Sequence, residues 1–172
     1  MISEVKYLIN ISAISACLFY FAGAGVPHFQ NIANQELQRY TFEPFLLSLF
    51  VLTGLICIFY SFPFVKLPTY VFSWNRKLVK LYIASAGSII GWGIGTGIHY
   101  VQAKGVGAFP LVLGTNVLFM LLAISPLNIN KSLLKLVDEK RHEYTTQEAL
   151  CFFGFVLSSL GLWGIGQWWL NG

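Results

Sequence analysis

Two histidines and a row of glycines come nearest, by type and spacing, to residues that could do chemistry. Gly87, Gly91 and Gly95 recur at every fourth position, and His99 continues the row by one more turn. His28 closes another apolar stretch at the matching level. Two imidazoles at one depth on neighbouring helices would suit a metal, a b-type haem or a chlorophyll, the glycines making room for a flat ring. No carboxylate is spaced to orient either ring. The plainer reading is that each histidine bonds to backbone or water, and the cofactor stays open between haem, chlorophyll and none.

A second set is polar. Ser88, Thr96, Thr115 and Asn116 lie inside apolar stretches, as does Gln167. They would line a path for a neutral solute, or bridge helices, which is the commoner use. No Asp, Glu, Arg or Lys falls well inside any of these stretches, and proton-coupled transporters and pumps generally retain such a group. Ser/His/Asp arrangements, metalloprotease motifs and phosphate loops are absent. The residues lean away from an enzyme and give no sign of nucleic-acid binding. Cys17, Cys57 and Cys151 form no C-x-x-C pair and read as buried small apolar residues.

The elements that must hold these groups follow from composition. Of 172 residues, 56% are hydrophobic and 10% charged, against about 25% charged in a soluble domain. Stretches of about 20 apolar residues span a bilayer as helices, because backbone polar groups in lipid need internal partners. Five such stretches occur, at 5–26, 44–65, 79–101, 109–127 and 149–170. The expected class is an all-α integral membrane protein, a single bundle of five transmembrane helices over 1–172. Residues 128–148 form an amphipathic, mostly basic cytoplasmic segment with a helix cap at Thr145 or Thr146. The first outer loop should carry a short interfacial helix around 32–40, with Glu36 and Arg39 towards water. The first inner loop, around Pro68 and Trp74, should lie along the membrane surface.

Charge orients the bundle. Lys6, Lys66, Arg76, Lys77, Lys80, Lys131, Lys135, Lys140 and Arg141 fall on one side, Arg39 and Lys104 on the other. The positive-inside rule puts the nine in the cytoplasm, the N-terminus inside and the C-terminus outside. Trp168, Trp169 and Tyr100 would mark the outer interface, and Trp74, Tyr82 and Tyr144 the inner one. The first stretch, with Ala22-Gly23-Ala24, has a rival reading as a cleaved signal peptide; the spanning helix is preferred. A prokaryotic plasma membrane is the expected location, an organelle membrane the alternative.

Trp-Gly-Ile-Gly occurs at 92–95 and again at 163–166, 71 residues apart. A tandem two-helix repeat would explain this; so would a shared packing need. Small residues four apart let helix backbones approach closely. Gly87, Gly91, Gly95, Gly161, Gly164 and Gly166 are therefore the expected packing positions, each Trp filling space beside a glycine notch. Proline opens and closes the second and fourth stretches, at Pro44 and Pro63 and at Pro110 and Pro126. The leading functional expectation is an accessory or assembly subunit of a larger membrane complex. Its partners would be the lipid bilayer and other membrane subunits or a second copy. A small channel or transporter for a neutral solute is one alternative, and a haem- or pigment-binding redox protein using His28 and His99 the other.

Overall fold

The computed structural model describes the backbone of residues 2–39, 42–62, 64–140 and 142–171, with side chains over 3–35, 43–62, 64–140 and 142–170. The described chain is all helical. Its elements are α1 (Ile2–Gly23), α2 (Pro27–Arg39), α3 (Phe42–Ser61), α4 (Thr69–Lys104), a short 3-10 turn at Val106–Ala108, α5 (Phe109–Lys140) and α6 (Tyr144–Asn171). Five helices, all but α2, are long and apolar enough to cross a membrane. The protein is thus a multi-pass helical membrane protein.

The helix ends follow from local chemistry. Gly25 adopts φ +85°, Gly25 N–H bonds to Ala22 C=O and Val26 N–H to Phe21 C=O. That pair of bonds and the left-handed residue make a Schellman cap, which glycine supplies without Cβ strain. Val26 then accepts from Gln30 N–H, and Pro27 takes the first helical position, where its missing N–H costs nothing. The interfacial helix expected at 32–40 therefore starts five residues earlier, at Pro27. It packs back on the end of α1 through buried Ala33 and the Phe21–Phe29 pair. The side chains of Glu36 and Arg39 lie outside the described residues. At the other hairpin, Gly105 (φ +86°) bonds back to Val101 C=O and closes α4.

Two helices outrun their apolar stretches. α4 has 36 residues and α5 has 32, about 54 Å and 48 Å at 1.5 Å per residue. A hydrocarbon core is about 30 Å thick. Residues 69–78, expected along the membrane surface, are instead the first turns of α4. Pro126 does not close a helix but lies inside α5, which runs on through 128–140. α6 starts at Tyr144, with Glu143 C=O accepting from Gln147 N–H, so the cap precedes Thr145.

By its internal contacts the chain forms two compact units. One comprises Met1–Phe42 and Ile83–Ser125, the other Glu43–Tyr82 and Pro126–Gly172. Each buries its own interior. In the first, Leu8, Phe19, Ile83, Ala86 and Ile90 are buried; in the second, Leu49, Ile56, Cys57, Tyr82 and Leu150 are. Tyr82 is fully buried rather than an interfacial anchor, while Trp74, Tyr144, Tyr100, Trp168 and Trp169 are exposed as a belt requires. Of the cysteines only Cys57 is buried; Cys17 and Cys151 face outward.

Candidate functional site

In the first unit α1 and α4 run parallel, and the glycine row is their contact. A methyl group at Gly91 would lie 2.7 Å from Ser12 C=O and 2.8 Å from the Ala16 nitrogen. At Gly95 it would lie 2.8 Å from Ala16 C=O, and at Gly87 2.7 Å from the Ile11 side chain. Nothing larger than hydrogen fits without separating the backbones, as close packing in lipid demands. Ser15 and Ser88 meet across the same seam at 3.4 Å, long for a hydroxyl pair.

His99 ends this seam. Its Nε2 donates to Tyr20 C=O at 2.7 Å, its ring stacks on the Tyr20 ring at 4.8 Å, and it lies against Gly23. Tyr20 C=O is in the last turn of α1 and also accepts from Ala24 N–H at 3.0 Å, so His99 takes its second lone pair. His28, by contrast, lies exposed on α2, edge-on to Phe29. The two imidazoles thus occupy different settings, one engaged in a helix end and one at the surface. Among the described residues no group of three or more His, Cys, Asp or Glu is placed to hold a metal.

The polar set is similarly dispersed. Thr96 and Thr115 are exposed and donate to their own helices, at Trp92 C=O and Leu111 C=O. Ser88 faces α1. Asn116 alone borders an open apolar groove of about 510 Å³ between α4 and α5, with Ile90, Ile94, Gly97, Val112 and Met120. Its amide donates to Val112 C=O, and its buried Oδ1 has no hydrogen-bond partner among the described residues. That oxygen lies over Gly93, 2.7 Å from where a Cβ would be, and only a weak C–H···O contact is available to it there.

In the second unit α3 and α6 run antiparallel and cross at Gly54 and Gly154. A methyl at Gly154 would lie 2.7 Å from Gly54 C=O. Ser158 sits against Gly54, and a Cβ at Gly161 would be 2.8 Å from Leu47 C=O. Gly164 meets only the Leu47 side chain, and Gly166 meets nothing within 4 Å, so Gly166 is not a packing position within this fold. The two Trp-Gly-Ile-Gly stretches therefore serve different neighbours. Both tryptophans, Trp92 and Trp163, are exposed rather than wedged beside a glycine.

A buried polar junction in this unit has no counterpart in the sequence reading. Thr53 Oγ1 of α3 accepts from Asn130 Nδ2 of α5 at 2.6 Å and from Asn75 Nδ2 of α4 at 3.5 Å. Thr53, Asn75 and Asn130 are all at least 94% buried. Beside it, Cys57, Leu133, Val137, Leu150 and Leu157 form an apolar cluster. Asn75 and Asn130 give little signal in the sequence, because each stands next to a basic residue in a polar stretch outside the apolar runs.

No family model, curated protein or solved structure matches the chain.

Proposed function

We propose that this chain is an accessory or assembly subunit of a larger complex, embedded in a prokaryotic plasma membrane with its basic segments cytoplasmic, and that it acts by helix packing. The supporting observation is how unevenly its spans are covered. Half of the most apolar window of α4 is buried, but only 6% of that of α5. The glycine rows of α4 and α6 are used up on α1 and α3. The spanning part of α5 keeps Leu111, Leu113, Val117, Leu118, Leu121 and Leu122 exposed, beside the groove floored by Gly97 and edged by Asn116. A concave apolar strip beside a small residue and an amide is the kind of surface that receives another helix in lipid. Lipid is its competitor for that surface.

Native gel electrophoresis of gently solubilised membranes tests the reading. The chain should migrate well above its own 19.3 kDa, and Ile98→Trp, which enlarges an exposed side chain lining the groove, should release it. Migration as a monomer under conditions that keep other complexes whole would overturn the proposal.

A further inference from the structure

The first turns of α4 carry a mixed exposed face. At 3.6 residues per turn, Tyr70, Trp74, Arg76, Lys77, Lys80 and Leu81 fall within about 160° of the helix circumference, and all six are exposed. Asn75 and Tyr82, on the opposite side, are buried in the second unit. Lys80 stands four residues from Arg76 and three from Lys77, a spacing that puts Cβ atoms about 5–6 Å apart. The three cations therefore share one surface of one helix, flanked by two aromatic residues and a leucine.

The register with α3 sets the level of this face. α3 and α4 run antiparallel, with the Tyr60 and Phe72 rings 5.8 Å apart and Asn75 Nδ2 3.5 Å from Thr53 Oγ1. The face thus begins beside the Ser61 end of α3 and passes Thr53 at Arg76. It ends near Lys80 and Leu81, about 8 Å further on at 1.5 Å per residue. Between Pro44 and Ser61, α3 carries no charged residue. Cations alongside an apolar span are costly in lipid unless they reach water or a counter-charge. Among the described residues no ion pair includes Arg76, Lys77 or Lys80; the pairs in this unit join Lys135 to Glu139 and Lys140 to Glu143.

We infer that this face of α4 docks a carboxylate-bearing segment of the partner subunit, entering from the cytoplasmic side; this rests on the subunit role proposed above. Charge complementarity selects the partner. Asp or Glu set against three unpaired cations offsets their cost, and a basic segment is turned away by like charge. Tyr, Trp and Arg are the side chains that most often carry binding energy at interfaces, and Tyr70, Trp74 and Arg76 supply all three. These residues are separate from those of α4 that line the groove, Ile90 to Gln102.

Carbodiimide coupling in intact membranes tests this. The reagent activates a carboxylate, a lysine amine in contact with it displaces the activated oxygen to form an amide, and that oxygen leaves with the reagent as a urea. The wild type should give an adduct of higher mass in which Lys77 or Lys80 is joined to an Asp or Glu of a different polypeptide. Lys77→Arg/Lys80→Arg keeps both charges but removes both amines, and should lose that adduct while the complex survives on a native gel. Lys77→Glu/Lys80→Glu reverses the charge and should release the chain from the complex, with buried Cys57 still shielded from maleimide as the sign of a folded unit. If the reversed variant does not fold, Lys77→Gln/Lys80→Gln replaces it and should likewise release the chain. Lys104→Gln should change neither adduct nor complex. A wild-type complex that forms no amide through either lysine, an amide only to a second copy of this chain, or a folded reversed variant that stays in the complex would overturn the inference and leave the subunit role standing. A wild type that migrates as a monomer would overturn both.

Discussion

The Nε2 atom of His99 donates a hydrogen bond of 2.7 Å to the backbone carbonyl of Tyr20. The same carbonyl accepts from Ala24 N–H at 3.0 Å, so both its lone pairs are used. A carbonyl only accepts, so the Nε2 carries the proton, and the histidine ties the end of α1 to α4. His99→Leu should lower stability by about 1 kcal/mol and leave the visible absorption spectrum unchanged. A Soret band in the purified wild type that His99→Leu abolishes would contradict this helix-end role and favour the redox reading.

The glycine row should tolerate nothing larger. Gly91→Leu pushes a side chain into Ser12 C=O and the Ala16 nitrogen, and should destabilise the protein by about 1–3 kcal/mol or more. Gly166→Ala meets open space and should be neutral or gain up to about 1 kcal/mol from helix propensity. Thermal midpoints in one detergent compare them. Equal effects would mean that α1 and α4 do not pack through Gly91.

Thr53 and Asn130 should be coupled. Thr53→Val removes the acceptor of a 2.6 Å bond from a buried amide, and Asn130→Leu removes the donor. A double-mutant cycle should give a coupling of about 0.6–1.7 kcal/mol, the range for interhelical hydrogen bonds in membranes. Additive single effects would show that the two do not interact.

Cysteine reactivity should separate the three thiols. In detergent a membrane-permeant maleimide should label Cys17 and Cys151, which are exposed, and spare Cys57, which is 0% exposed, until the protein is unfolded. Rapid labelling of Cys57 in the folded protein would contradict the α3–α5–α6 cluster.

Much of the architecture was legible because lipid imposes a simple rule: long apolar runs become helices. The five spans, the glycine row and its continuation to His99 all follow from spacing that a helix turns into one face. Helix ends were less legible. Residues 69–78 and 128–140 are polar enough to read as loop, yet they contain no glycine and no internal proline to stop a helix already started. Pro126 reads as a terminator because proline lacks an N–H, but a proline inside a helix forfeits only local bonds and α5 continues past it. The Thr53 junction was hidden for another reason. A hydrogen bond between residues 53 and 130 leaves no periodic trace, and Gly54, the glycine at the α3–α6 crossing, has no small-residue row on its own helix to announce it. The matched Trp-Gly-Ile-Gly stretches look alike in sequence, yet their glycines meet different neighbours and their tryptophans are exposed.

The account turns on α5 being covered by another protein rather than by lipid alone. Site-specific photocrosslinking in intact membranes tests this most directly, with a photoreactive residue replacing Leu113 or Val117 at the groove, and Phe152 on the exposed surface of α6 for comparison. The account predicts a discrete protein adduct from Leu113 and Val117, lost when Ile98→Trp narrows the groove, and lipid adducts alone from Phe152. Lipid adducts alone from all three positions would contradict it.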